Sequence, residues 1–118
     1  NPINHMTVAY KKSAILSVQG YPELFLKGDY GLWIKLNQRG FKFKNIDRSL
    51  VKATTGIRMI RDRGGINYIF SEFKLQIFLI SHKQTNYLIS FFVFFLRSLV
   101  FILPSKFRYY FYLKFLRN

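Results

Sequence analysis

A chain of 118 residues, half of them apolar and 19% aromatic, has the size of one small domain and ample material for a core, which excludes a disordered polymer. Cysteine is absent, which excludes disulfides, thiolate metal sites and cysteine nucleophiles. Nineteen Lys and Arg against five acids give a net charge of +14, which predicts attraction to phosphates in nucleic acid, anionic lipid or a nucleotide-sugar diphosphate without ranking the three. The basic residues are spread along the chain, whereas the apolar ones concentrate after Ile66, and that asymmetry points toward a membrane surface. The chain opens at Asn1 in strand-like sequence with no basic-then-apolar leader, which reads as a fragment or truncated product.

In chain order, residues 6–10 carry the β-branched and aromatic content of a short buried strand, and residues 11–18 read as a short helix closed by Gly20. A turn follows at Tyr21-Pro22. Residues 29–39 place Leu32, Trp33 and Leu36 on roughly one helical face, with Gly40 as the stop. Asp29 stands at the start of this helix, where a carboxylate either caps backbone N–H groups or, if a substrate reaches it, acts as a base. The residues alone leave both roles open. Phe41, Phe43 and Asn45 alternate with Lys42 and Lys44, the period-2 pattern of a strand with one buried face, and residues 49–54 resume extended character.

Residues 54–58 are loop-like and lead into Arg61-Asp62-Arg63-Gly64-Gly65. Glycines let backbone N–H groups approach a phosphate, a helix start adds its positive dipole end, and Arg forks bind phosphate oxygens in pairs. The stretch therefore reads either as an anion site or as a solvated charged loop. Residues 66–80 are apolar on nearly every side of a helix, and residues 88–103 form a second apolar run broken by Ser90, Arg97 and Ser98 and ended by Pro104. That second run falls short of the about 20 residues a membrane span needs, so an interfacial or re-entrant helix is predicted. Residues 106–117 interleave Lys106, Arg108, Lys114 and Arg117 with aromatic rings. This suits an anionic headgroup layer better than single-stranded nucleic acid, because the preceding apolar helices need cover.

No internal repeat, Walker loop, dinucleotide glycine fingerprint or RRM-type aromatic motif is present. His5 and His82 are too few for a histidine metal cluster, and His5 by itself reads first as a structural residue. Taken in order, Asn1-Pro2-Ile3-Asn4-His5-Met6-Thr7, Lys11-Lys12-Ser13-Ala14, Gly20-Tyr21, Asp29-Tyr30, Leu32-Trp33, Arg39-Gly40 and Arg61-Asp62-Arg63-Gly64-Gly65 resemble the C-terminal half of a bacterial family 2 glycosyltransferase of capsule, exopolysaccharide or O-antigen assembly. The resemblance covers residues 1–82, and the tail matches only in character.

The resemblance implies an α/β chain: the C-terminal portion of a GT-A (Rossmann-like) fold followed by amphipathic, membrane-associating C-terminal helices. Residues 1–60 would be the acceptor-side part of the catalytic domain, without its nucleotide-sugar half, and residues 61–118 a basic-aromatic helical region at the membrane. The family motif Glu-Asp-Tyr-Asp-Leu-Trp aligns with Gly28-Asp29-Tyr30-Gly31-Leu32-Trp33 and puts the catalytic base of an inverting sugar transfer on Asp29. Arg58, Arg61 and Arg63 would offset charge on the leaving diphosphate. His5 and Trp33 join them as substrate-binding candidates, with Trp33 also readable as core. The complete family enzyme is expected to use a divalent metal (Mg or Mn) held by an Asp-x-Asp motif absent from this sequence. Its expected partners are a nucleotide-sugar donor, a lipid-linked glycan acceptor and an anionic membrane surface, with no specific nucleic acid, and its expected place is the cytoplasmic face of the inner membrane. Gly28 stands where the family usually has Glu and Gly31 where it often has Asp, so the chain alone is expected to be inactive. The alternative is a non-enzymatic basic membrane-binding or interaction module.

Overall fold

The computed structural model describes residues 3–52 and 63–115, with side chains described as far as Tyr110. The chain divides into two compact units, Asn1–Ala53 and Thr54–Asn118.

In the first unit a 3-10 turn at His5–Thr7 precedes α1 (Lys12–Ser17) and α2 (Gly28–Gln38). Local chemistry sets these bounds. The Asn4 side chain accepts from the Met6 N–H at 3.2 Å and starts the turn. Helix α1 stops where Gln19 and Gly20 take positive φ, and the Gly20 N–H returns to the Ile15 carbonyl at 2.9 Å. Helix α2 stops in the same way at Gly40, φ +79°, with the Phe41 N–H on the Leu36 carbonyl at 3.1 Å. Ile15 of α1 and Val18 just after it pack with Leu32, Trp33 and Leu36 of α2 as the core, and Lys35 Nζ donates to the Gly20 carbonyl at 3.1 Å.

The expected α/β fold is overturned. Among the described residues every regular element is helical and none is a strand. Residues 6–10 hold the end of the 3-10 turn and an unladdered segment, and residues 41–45 and 49–52 run without strand pairing, their side chains exposed. Alternating side chains decide which residues share a face, but a strand exists only when a neighbour about 4.8 Å away completes its hydrogen-bond ladder. No such neighbour stands beside these segments among the described residues.

The second unit holds α3 (Ile66–Ser81), α4 (Tyr87–Ile102) and α5 (Ser105–Phe115). Helices α3 and α4 form an antiparallel hairpin. At the turn, Lys83 adopts φ +53° and the Gln84 N–H reaches the Leu79 carbonyl at 2.9 Å. Asn86 then caps α4, its Oδ1 accepting from the Ile89 N–H at 2.8 Å. At the open end the Gly65 N–H donates to the Phe101 carbonyl at 3.0 Å. Tyr68 meets Phe101 and Phe73 meets Phe94 across the pair, with ring centroids 5.6 and 5.8 Å apart.

Candidate functional site

Asp29 lies in the first turn of α2, half-buried, two residues after the N-cap position, which is Lys27. It therefore sits where the positive end of the helix dipole favours a carboxylate. The turn that carries Tyr21 and Pro22 folds back over this helix start. Gly31 makes that approach possible: a Cβ there would stand 2.5 Å from Pro22 Cγ and 2.8 Å from Leu24 Cδ1. Gly28 has no such constraint, its nearest neighbour being the Pro22 carbonyl oxygen at 3.6 Å.

Tyr21 is the hub of a polar cluster beside Asp29. Its hydroxyl is 2.8 Å from His5 Nε2 and 2.9 Å from the Tyr10 hydroxyl, and it is 42% exposed. Tyr21 is pushed up to about 12, first by its hydrogen bond with Tyr10, then by burial, then by the charges of Tyr10 and Asp29. It therefore stays a neutral hydroxyl through any physiological pH, able to donate one hydrogen bond and accept two. Behind the cluster lies Trp33, 5% exposed and part of the core. The rings of His5, Tyr10 and Phe43 stand 6.3, 6.2 and 6.4 Å from it, and its buried indole N–H has no hydrogen-bond partner among the described residues.

Of the sequence candidates, the structure thus brings His5, Asp29 and Trp33 together in the first unit, with Tyr21 and Tyr10 as additions that periodicity did not single out. The signal for Tyr21 was present, a polar aromatic in the turn just ahead of the helix that bears Asp29. Arg58 and Arg61 lie outside the described residues, and Arg63 is exposed in the second unit. The neighbouring Gly64 faces a guanidinium, since a Cβ there would overlap that of Arg108. Arg108 Nη1 donates to the Phe101 and Leu103 carbonyls, both at 2.9 Å, which satisfies the C-terminal end of α4.

Among the described residues no three His, Cys, Asp or Glu side chains stand close enough to hold a metal ion. The described residues therefore do not by themselves form a divalent-metal site. No described helix is long and apolar enough to cross a membrane.

A carboxylate beside hydroxyl and imidazole groups, on a helix start held by a glycine-dependent turn, can orient a hydroxyl group and take its proton. The amylovoran biosynthesis glycosyltransferase AmsE of Erwinia amylovora is 32% identical over 106 residues, 90% of this chain and 40% of that protein. The UDP-Gal:alpha-D-GlcNAc-diphosphoundecaprenol beta-1,3-galactosyltransferase of Escherichia coli is 36% identical over 118 residues, all of this chain and 43% of that protein. The chain is similar to a segment of bacterial glycosyltransferases. An uncharacterized glycosyltransferase of Haemophilus influenzae is 45% identical over 74 residues, 63% of this chain and 27% of that one. The chain thus spans about two fifths of the length of the first two glycosyltransferases. No family model and no solved structure matches it.

Proposed function

We propose that this chain is the acceptor-side, base-bearing segment of an inverting family 2 glycosyltransferase that builds a bacterial surface polysaccharide. The carrying observation is the position of Asp29, acidic in a chain of net charge +14 and set beside the Tyr21, His5 and Tyr10 cluster, in a sequence similar to glycosyltransferases along 90% or more of its length in two cases. Asp29 takes the proton of the acceptor hydroxyl while that oxygen forms a bond to the anomeric carbon of the donor. The bond from that carbon to the diphosphate breaks on the opposite face, and its electron pair leaves with the diphosphate. Tyr21, a neutral hydroxyl, orients the acceptor oxygen.

The donor is a nucleotide-sugar and the acceptor a lipid-linked sugar, the classes that the name of the Escherichia coli relative gives for that enzyme. With such an acceptor the reaction would run at the cytoplasmic face of the inner membrane, the basic and aromatic residues of α5 serving to meet anionic headgroups. Any divalent metal belongs with the donor-binding portion of the complete enzyme.

The test joins this chain to the preceding portion of the Escherichia coli relative and compares Asp29 with Asp29→Asn for sugar transfer to a lipid-linked acceptor. A lost general base lowers turnover by about 10²–10⁴-fold. Equal turnover by the two proteins would end the assignment of Asp29 as base.

A further inference from the structure

The α3–α4 hairpin has its polarity inverted. Its inner face holds Ser71, Glu72 and Leu75, all 0% exposed, with Gln76 at 6% and Ser90 at 3%, so polar groups outnumber apolar ones there. Glu72 is fully engaged there: Arg97 Nη1 donates to its two oxygens at 3.0 and 3.1 Å, and Gln76 Nε2 donates to Oε1 at 2.9 Å. The outer face of α4 is the reverse, with Leu88, Phe91, Phe92, Phe95, Leu99 and Ile102 between 48% and 74% exposed. Every polar residue of α4 after its cap, Ser90, Arg97 and Ser98, is turned away from that face, buried or half-buried. Water would select the opposite arrangement, because an exposed Phe stripe is unfavourable there and a buried Glu is costly. A lipid surround selects this one, since apolar side chains then face the surroundings and polar groups find partners between the helices.

We infer that the α3–α4 hairpin is an in-plane membrane insert, seated within one leaflet of an anionic bilayer with α4 as its deeper helix. Each helix is 16 residues, so about 24 Å long, which is less than the about 30 Å hydrocarbon core and suits lying in the leaflet. Helix α3 carries a water-facing edge that α4 lacks: Asn67, Lys74 and Ser81, all exposed, recur every seven residues on one line. The Lys74 ammonium lies 4.7 Å over the Phe70 ring and spans from the apolar face to the headgroups. The half-exposed Arg97 is neutralised by Glu72, and its long stem lets the remaining donors reach a phosphate. Charge complements the occupant as well, with ten Lys and Arg against two acids from residue 54 onward.

The chain contains no cysteine, so each introduced thiol is unique. Phe95→Cys and Asn67→Cys are labelled with an environment-sensitive fluorophore in the full chain and mixed with vesicles of phosphatidylglycerol and phosphatidylcholine, or of phosphatidylcholine alone. The expected result is a blue-shifted probe at position 95 that spin-labelled acyl chains quench and a probe at position 67 that stays in water, with the burial at 95 stronger on the anionic vesicles. Phe91→Asp with Phe95→Asp should weaken vesicle flotation by about tenfold or more, while Lys74→Gln keeps the probe at 95 buried. Equal quenching at 67 and 95 overturns the in-plane seating, and so does binding lost in high salt without quenching at 95. Protection of position 95 without vesicles, rising with protein concentration, overturns lipid in favour of self-association. Asp29→Asn leaves these readouts unchanged, so insertion and sugar transfer fail separately.

Discussion

At the residue scale, the two glycines beside Asp29 have different jobs although both depart from the glycosyltransferase pattern that the sequence resembles. Gly31 is buried under Pro22 and Leu24, and a side chain there must displace a rigid proline ring. Gly31→Asp is expected to destabilise the first unit by about 1–3 kcal/mol through overpacking, and further through an enclosed carboxylate. Gly28→Glu has room, and an acid in the first turn of a helix is favourable by about 0.3–1 kcal/mol. Trp33, the single tryptophan, lies in the core of that unit, so its fluorescence during thermal or urea unfolding measures both variants. A lower midpoint for Gly28→Glu than for Gly31→Asp would refute this division of labour. The turn at residues 20–24 thus takes the place that charge holds in the related motif: it packs where an acidic side chain would otherwise project.

At the scale of elements, the first-unit helices follow their local signals closely. The sequence predicts helices over residues 11–18 and 29–39, and Lys12–Ser17 and Gly28–Gln38 are observed, because positive-φ residues at Gly20 and Gly40 stop both from within the sequence. The strands did not appear, since alternation at residues 41–45 carries no information about a pairing partner. In the second unit the runs after Ile66 became α3 and α4, but their facing surfaces were not legible. Glu72 and Arg97 are 25 residues apart, and only the hairpin turn brings them together. Arg97→Met should destabilise the hairpin, toward or below the lower end of the about 3–5 kcal/mol seen for broken buried pairs, because its guanidinium is partly exposed. The double change with Glu72→Met should recover most of that loss, which helix content on thermal melting in detergent will show. Asn86→Ala removes the α4 cap and should cost about 1 kcal/mol in the same melt.

At the scale of the whole molecule, the charge of +14 and the apolar second unit act over different ranges. Electrostatic attraction to anionic lipid fades as the screening length shortens from about 10 Å in 0.1 M salt to about 3 Å in 1 M. Burial of apolar side chains does not fade with it. Vesicle binding measured by flotation across this salt series should therefore weaken and then level off above zero. A fall to nothing would assign the attachment to charge alone. What the amino-acid sequence by itself determined was local or compositional: helix stops at glycines, the acid at a helix start, the excess of positive charge, and a set of ordered motifs close to those of bacterial glycosyltransferases. What only the tertiary structure decided was which groups meet across distance. It placed Tyr21, His5 and Tyr10 beside Asp29, pressed Pro22 onto Gly31, and turned Glu72 and Arg97 inward so that phenylalanines face out. Those outcomes depend on contacts between residues far apart in the chain, and neither propensity nor periodicity carries the distance between them.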